Sequence, residues 1–306
     1  MKLPVHTENF LKAIDLIPKK SLEEYTIEEW RLGYAATVAT FGALFTSVHK
    51  TEDFKVKPSE SNRPDIPVRY YQSFENNDRL WIYVHGGGWC RGSVDIYDTH
   101  MRELANGLGL NILSVDYRLA PENPFPAAHK DVLDVFKWVK ESFADENGIK
   151  QVYLGGDSAG GNITCGVVCR LIEDGYPLPD CYIGIYPPVD FSMRQDSYKR
   201  FETGYLLTTE SVKHYVDQYI VHEENKYSIL ASTLLYQNLK KFPKTLIITA
   251  EADPLADEQV EFVHSLKENK VDVLQIIVPG VIHPFMMLSR VFPEVKDCIE
   301  WLKENL

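Results

Sequence analysis

The chain has 306 residues, of which 44% are hydrophobic and 25% charged, and its formal net charge is -12. That length accommodates one large α/β domain with an accessory region but not three ordinary domains, and the composition is typical of a soluble globular protein. The acidic charge, which no long basic patch offsets, argues against nucleic acid or an anionic membrane surface as a partner.

The N-terminal segment is predicted to be helical, over Glu8 to Ile17 and Leu22 to Phe45. Its first residues lack the apolar stretch of a signal peptide, so we expect a cytoplasmic protein. The longest uncharged run, Tyr34 to Val48, is shorter than the roughly 20 apolar residues that a membrane-spanning helix needs. We therefore expect no membrane span and interpret this run as a buried or pocket-facing helix.

From residue 66 onward, short apolar runs alternate with segments of helical periodicity. The predicted strands are Ile66 to Phe74, Arg79 to Val84, Asn111 to Asp116, Gln151 to Gly156, Cys181 to Asp190, Thr245 to Ala250 and Val271 to Val278. The predicted helices are Tyr97 to Leu108, Pro126 to Phe143, Asn162 to Glu173, Thr208 to Val221, Ala256 to Asn269 and Val295 to Glu304. Apolar strands separated by helices imply an α/β fold with a mainly parallel sheet covered on both faces.

One interval breaks this alternation, because the residues between Asp190 and Lys244 carry helix signals and no convincing strand. We interpret the interval as an insertion over the carboxyl edge of the sheet, which is where open α/β sheets bind ligands.

Metal and cofactor sites are not expected. The five cysteines are odd in number and lack the spacing of a zinc site, which predicts reduced, buried thiols. The chain also has no Gly-Lys-Ser/Thr phosphate loop and no G-x-G-x-x-G dinucleotide motif.

The segment "VYLGGDSAGGN" places Ser158 between a predicted strand and a predicted helix, in the pattern G-x-S-x-G. A serine hydroxyl is a poor nucleophile at neutral pH, so it must project from a sharp turn toward a base. Gly156 and Gly160 provide room for such a turn. Taken alone, the pattern is also compatible with an ordinary glycine-rich turn.

A second glycine loop, "HGGGW" from His85 to Trp89, directly follows the predicted strand that ends at Val84. Loops of this type supply backbone N–H groups to an oxyanion. We expect Gly86 and Gly87 to donate from one side and Ala159 from the other. His85 is interpreted as a hydrogen-bonding loop residue and not as a base.

A base and an orienting acid should follow the serine in the order acid, then histidine, each after a strand. His283 follows the last predicted strand, whereas His129, His214 and His264 fall in helical patterns. Asp253 follows the preceding strand. Glu251 and Asp257 compete with it for the role of the acid.

With these motifs in place, the chain from about residue 80 to its end resembles the hormone-sensitive-lipase-like family of α/β-hydrolases, the bacterial carboxylesterases sometimes called type IV. "HGGGW" and "GDSAGGN", about seventy residues apart, carry the resemblance, and the segments "DYRLAPENPFPAA", "DPLADE" and "HPF" add to it. Two positions depart from the family pattern: Thr233 stands where many members have proline, and Pro284 stands where they have glycine.

The resemblance implies an α/β-hydrolase fold in one domain, 1–306, with a helical cap formed by about 1–50 and 190–240. It implies Ser158 as nucleophile, His283 as general base and Asp253 as its orienting acid, with Gly86, Gly87 and Ala159 as oxyanion donors. It further implies an esterase that needs no cofactor and acts on small-molecule esters with acyl groups from acetyl to about hexanoyl.

The sequence constrains the substrate pocket and the oligomeric state less than it constrains the catalytic residues. Phe41, Tyr205 and Leu206 are candidates for lining an apolar acyl site, although ordinary core packing is the favoured interpretation of them. An amidase or peptidase of the same fold and a non-catalytic small-molecule receptor are the alternative functions, and a homodimer is left open. Since a free histidine titrates near ~6.5, activity should fall in mild acid.

Overall fold

A central β-sheet organises the protein, whose computed structural model describes residues 2–17, 20–75 and 77–306. The strands of this described part form one eight-stranded sheet in the order β1-β2-β4-β3-β5-β6-β7-β8. They are β1 Lys50–Val56, β2 Ile66–Gln72, β3 Arg79–Val84, β4 Asn111–Val115, β5 Gln151–Asp157, β6 Cys181–Ile185, β7 Lys244–Ala252 and β8 Val273–Ile282. The pairs β1/β2 and β2/β4 are antiparallel, and the remaining pairs are parallel.

Helices connect the strands and cover both faces of the sheet. The α-helices are α1 Val5–Asp15, α2 Ile27–Phe41, α3 Asp98–Leu108, α4 Ala127–Trp138, α5 Ala144–Glu146, α6 Ala159–Asp174, α7 Ser197–Arg200, α8 Thr209–Tyr219, α9 Ala256–Glu268 and α10 Glu294–Asn305. One face packs against α4, α6 and α9, and the other packs against α3 and α10.

The alternation of side chains along a strand creates these two cores. In β3, Leu80 and Ile82 point into the first core while Trp81 and Tyr83 point into the second, and all four are completely buried. A strand buried on both sides has no polar face, which explains why these strands read as continuous apolar runs.

The predicted α/β fold with a mostly parallel sheet is confirmed, and most predicted elements lie within a few residues of the observed ones. Among the predicted strand ends, the largest error is at β6, which was predicted to reach Asp190 but ends at Ile185. Tyr186 has a φ of 40°, a left-handed value that leaves the extended conformation, and two prolines follow it.

Strand β1 was missed by the sequence analysis because its sequence, "KTEDFKV", is mostly charged. It lies at the edge of the described sheet, where it pairs with β2, and it exposes many of its side chains. Charged residues on an edge strand discourage pairing with other chains. Its composition therefore fits its position but hides the strand from a search for apolar runs.

The N-terminal prediction was partly wrong. The predicted helix from Leu22 to Phe45 is a short 3-10 turn followed by α2, which begins after the N-cap Thr26 and ends at Phe41. Thr26 and Glu29 form a capping box that fixes this start. Leu44 and Phe45 lie beyond the helix and are 67% and 65% exposed, so they are not part of a buried helix.

The insertion between β6 and β7 contains α7, α8 and several 3-10 turns. Trp30 of α2 packs against His214 and Tyr215 of α8, with ring centroids 4.4 and 5.3 Å apart. The N-terminal segment and the insertion therefore meet. That 1–50 and 190–240 act as a cap stays a prediction, and residues 1, 18 and 19 of that range lie outside the described part of the chain.

Candidate active site

Ser158 occupies the sharp turn between β5 and α6. Its backbone angles are φ 50° and ψ -123°, a conformation that is strained for a residue with a side chain. At this turn β5 and α6 both approach β3 so closely that a Cβ atom on Gly156 of β5 or on Gly160 of α6 would lie 1.9 Å from the Val84 carbonyl oxygen. Only glycine fits at these two positions, and the sequence analysis identified both.

The structure brings Ser158, His283 and Asp253 together at the carboxyl ends of β5, β8 and β7. Ser158 Oγ lies 2.8 Å from His283 Nε2, and His283 Nδ1 lies 2.8 Å from Asp253 Oδ2. The carboxylate accepts the Nδ1 proton, which leaves Nε2 free to accept the proton of the serine hydroxyl. This arrangement can deprotonate a serine during nucleophilic attack.

Asp253 is completely buried, and its second oxygen, Oδ1, accepts the Leu255 N–H at 2.9 Å. The two competing acids have other partners: Asp257 pairs with Arg200, and Glu251 accepts the Gly280 N–H. Of the three acids considered from the sequence, Asp253 is therefore the one that contacts the imidazole.

Tyr186 is a site residue that the sequence analysis missed. Its ring packs against the His283 ring with centroids 4.5 Å apart, and its own N–H donates to the Ile248 carbonyl. The strained turn after β6 thus supports the imidazole from one side. The two prolines that follow Tyr186 indicated the end of the strand but gave no indication of this contact.

The Gly86 N–H is not free to bind an oxyanion, which corrects the prediction for this residue. It donates to Asp157 Oδ1 at 2.8 Å and lies 3.0 Å from the Tyr97 hydroxyl oxygen. Asp157, directly before Ser158 in the chain, also accepts the hydroxyl protons of Tyr83 and Tyr97. Its carboxylate therefore anchors the start of the glycine loop to the serine turn.

The next backbone donors are available. Within the described ranges, the N–H groups of Gly87, Gly88 and Ala159 donate no hydrogen bond. Gly88 was not among the predicted donors. The repeated glycines of "HGGGW" allow either the Gly86 and Gly87 N–H groups or the Gly87 and Gly88 N–H groups to be the donors. The sequence alone therefore could not distinguish these two possibilities.

His85 supports the glycine loop from behind. Its Nδ1–H donates to the Gly86 carbonyl oxygen at 2.8 Å, and its ring stacks on Tyr117 with centroids 4.4 Å apart. Burial lowers the pKa of His85, which keeps the ring neutral. The prediction that His85 is a loop residue agrees with these contacts.

The three predicted pocket residues are half-buried and pack against the core on the α3 side of the sheet. Phe41 packs edge-on against Phe10 at 5.2 Å, and Tyr205 packs against Phe201 at 5.0 Å. Leu206 has a φ of 66° and packs against the same core. Among the described residues, no hydrogen bond or ring contact joins these three to Ser158 or His283, and a substrate-binding role for them stays a prediction.

The thiols offer no alternative nucleophile. All five cysteines are free and buried. Burial raises the pKa of Cys90, Cys165, Cys181 and Cys298 to about 12, so these thiols remain protonated at neutral pH.

In residues 2–17, 20–75 and 77–306, no group of three His, Cys, Asp or Glu side chains is arranged to hold a metal ion. None of the helices in these ranges is both long and apolar enough to cross a membrane.

Comparison with known proteins places these features in a family. A family described as alpha/beta hydrolase fold matches residues 81–287. The chain is 32% identical to an ethyl acetate hydrolase of Pseudomonas putida over 248 residues, which cover 79% of this chain and 78% of the relative. It is also 32% identical to an arylesterase of Saccharolobus solfataricus over 263 residues, which cover 85% and 84% of the two chains.

Solved structures agree with this result. An ester hydrolase from the metagenome of Lake Arreo, solved with a bipyridine phosphonate derivative, superposes with a TM-score of 0.93 at 26% identity, over 99% of this chain and 98% of the other. An esterase from Pyrobaculum calidifontis superposes with a TM-score of 0.88 at 28% identity, over 99% and 98% of the two chains.

Proposed function

The chain belongs to the α/β-hydrolase family and is an ester-hydrolysing enzyme, and from this premise we propose that it is a serine carboxylesterase that hydrolyses short-chain esters through an acyl-enzyme. The observation that carries the proposal is the relay from Ser158 through His283 to Asp253, with both contacts at 2.8 Å. The carboxylesterase activity agrees with the expectation from the sequence motifs.

In the proposed reaction, Ser158 Oγ attacks the ester carbonyl carbon while His283 Nε2 takes the hydroxyl proton. Collapse of the tetrahedral intermediate breaks the bond to the alcohol oxygen, which receives that proton from His283. Water then attacks the acyl-enzyme while His283 takes one of its protons. Collapse of the second tetrahedral intermediate breaks the bond to Ser158 Oγ, which regains the proton from His283 as the acid product leaves. Asp253 holds the imidazole in the required tautomer and stabilises its charged form.

We assign the oxyanion to the N–H groups of Gly87, Gly88 and Ala159. This assignment replaces Gly86, whose N–H is occupied by Asp157. Donors fixed before the reaction stabilise charge as it develops, and each contributes on the order of 3 kcal/mol to the transition state.

A preference for short acyl groups, from acetyl to about hexanoyl, completes the proposal. It is supported by the family resemblance and by the similarity to an ethyl acetate hydrolase, whose name specifies a two-carbon acyl group. A chain-length series of p-nitrophenyl esters, from acetate to decanoate, tests it. A rate that rises toward decanoate would contradict the short-chain preference without affecting the nucleophile assignment.

The nucleophile assignment is tested by Ser158→Ala in the same assay. We expect kcat to fall by about 10⁴-fold or more, because the variant lacks the attacking oxygen. Ser114→Ala is the matched control, since Ser114 is a buried serine of β4 whose hydroxyl has no hydrogen-bond partner in the described part of the chain. An unchanged rate in Ser158→Ala would refute the assignment.

An amino-acid p-nitroanilide, assayed in parallel, separates the alternatives. Faster turnover of the anilide than of the acetate ester would favour an amidase or peptidase. A wild-type protein that binds esters but hydrolyses neither substrate would favour a receptor.

A further inference from the structure

Arg91 lies just after the glycine loop and contacts the peptide group that contains the Gly88 N–H. The Gly87 carbonyl oxygen accepts three hydrogen bonds: from the Cys90 N–H at 3.4 Å, from the Arg91 N–H at 3.1 Å and from Arg91 Nε at 3.3 Å. The carbonyl and the N–H of one trans peptide point in opposite directions. Donors that hold the Gly87 carbonyl on one side therefore turn the Gly88 N–H to the other.

Aromatic rings hold the Arg91 guanidinium in place. Its central carbon lies 4.6 Å from the ring centroid of Tyr215, 4.9 Å from that of Tyr34 and 5.9 Å from that of Trp30. A cation over several ring faces is attracted by their quadrupoles. In the part of the chain that the structure describes, no carboxylate lies within the 4.0 Å of an ion pair with Arg91.

These rings come from two distant segments of the chain. Trp30 and Tyr34 belong to α2, whereas Tyr215 belongs to α8 in the insertion between β6 and β7. The Tyr215 ring also closes over the loop itself, because a Cβ atom on Gly88 would lie 2.8 Å from its Cγ. Arg91 is thus the point at which both segments contact the loop.

Resting on the proposed function, we propose that Arg91 is a positioning residue for the oxyanion site. It fixes the orientation of the Gly87–Gly88 peptide, and its charge polarises that peptide so that the Gly88 N–H becomes a stronger donor. The ring cluster of Trp30, Tyr34 and Tyr215 holds the guanidinium in the position that this role requires. The position of α2 and α8 is thereby coupled to the geometry of the oxyanion site.

The proposal predicts a particular kinetic signature. An oxyanion exists only after the hydroxyl has attacked, so its donors stabilise the transition state and not the bound substrate. We expect Arg91→Met, which keeps the length and apolar packing of the side chain, to lower kcat for p-nitrophenyl acetate on the order of 10- to 100-fold while KM stays nearly constant. Arg91→Lys keeps the charge but loses the planar donor, and should give a smaller loss.

Arg102→Met is the matched control. Arg102 also lies over two rings, those of Phe45 and Tyr71, and its Nε donates to Asp98. It does not contact the glycine loop, so its kcat should equal that of the wild type. Thermal unfolding of all variants, followed by circular dichroism, identifies any variant that fails to fold, and Arg91→Lys then takes the place of Arg91→Met.

A second measurement reads the peptide group without turnover. Protein labelled only with glycine that carries ¹³C at its carbonyl and ¹⁵N at its amide gives carbonyl-to-amide correlations solely from Gly–Gly pairs. The sequence contains four such pairs: Gly86–Gly87, Gly87–Gly88, Gly155–Gly156 and Gly160–Gly161. We expect Arg91→Met to shift the Gly87–Gly88 signal in both dimensions, because one hydrogen bond to that carbonyl is lost, and Arg102→Met to leave it in place.

Two results would overturn the proposal: an unchanged kcat in Arg91→Met, or an unchanged Gly87–Gly88 signal. A rise in KM confined to esters that carry a negative charge would also overturn it, and would assign Arg91 to substrate binding. If the wild type hydrolyses no ester, the proposed function fails, whereas the glycine spectrum still decides whether Arg91 fixes the peptide.

Discussion

Asp157 illustrates how a single buried carboxylate can organise a site through its hydrogen bonds. Its oxygens accept hydrogen bonds from the Tyr83 hydroxyl, the Gly86 N–H and the Tyr97 hydroxyl. Hydrogen bonds to a charged group contribute about 1.5–3 kcal/mol each, which offsets much of the cost of burial. Burial and the Asp157 charge raise the pKa of both tyrosines, so they remain donors at neutral pH.

The tautomer of His283 provides a prediction at the same scale. In Asp253→Asn, the side-chain carbonyl keeps the Leu255 N–H, so the amide NH₂ faces His283 Nδ1. Nδ1 must then accept a proton, and Nε2 carries one and cannot accept the proton of Ser158. We expect kcat for p-nitrophenyl acetate to fall by roughly 10⁴-fold.

The control for this variant is Asp257→Asn, which changes a neighbouring carboxylate that pairs with Arg200 instead of the histidine. It should retain the wild-type kcat. A kcat of Asp253→Asn within about tenfold of the wild type would show that the carboxylate does not set the tautomer.

At the scale of elements, buried polar contacts attach the insertion to the body of the fold. His129 of α4 bridges two parts of the insertion: its Nε2 lies 2.9 Å from the Leu230 carbonyl oxygen, and its Nδ1 lies 3.0 Å from the Tyr219 hydroxyl. Tyr219, the last residue of α8, stacks in turn on Trp89 of the glycine loop at 5.0 Å. The orientation of α8 therefore depends on a neutral histidine.

This contact makes stability depend on pH in a defined direction. Burial lowers the pKa of His129 from 6.5 to about 4, so the unfolded chain binds a proton at higher pH than the folded protein does. The stabilising contribution is present above pH 6.5 and is lost as the pH falls toward 4. A pKa shift of that size corresponds to a change of about 3 kcal/mol in the free energy of unfolding.

Urea unfolding between pH 7 and pH 4 measures this effect. We expect the free energy of unfolding of His129→Gln to fall by about 3 kcal/mol less than that of the wild type over this interval. At pH 7 itself, the variant should be the less stable of the two proteins. His264→Gln, which changes an exposed histidine of α9, should follow the wild-type curve. Parallel curves for the wild type and His129→Gln would contradict the prediction.

At the scale of the whole molecule, the two edge strands of the sheet differ in the polarity of their side chains. Edge strand β1 carries Lys50, Glu52, Asp53 and Lys55, whereas edge strand β8 exposes 39% of Leu274 and 46% of Ile277. Exposed apolar edge strands are sites of strand pairing between chains. If the chain forms a homodimer, β8 is the edge at which we expect it.

Sedimentation velocity over a concentration series tests this expectation. If the wild type sediments as a dimer, Ile277→Lys should sediment as a monomer, because a charge on β8 would have to be buried in the interface. Leu16→Lys, at an exposed apolar residue of the N-terminal segment, should sediment as the wild type does. A monomeric wild type at every concentration would contradict the homodimer.

The sequence alone determined the alternation of strands and helices, the strained turn at Ser158 and the order serine, acid, histidine, because these depend on local spacing and on backbone chemistry. It did not determine that Gly86 donates to Asp157, that Asp253 and not Asp257 contacts the imidazole, or that Tyr186 supports it. Those contacts join distant residues, such as Gly86 and Asp157, which are 71 positions apart in the chain. Each segment contains several candidate donors or acceptors with the same chemistry, which differ only in the direction in which they point. The packing of the whole sheet therefore determines which donor meets which acceptor.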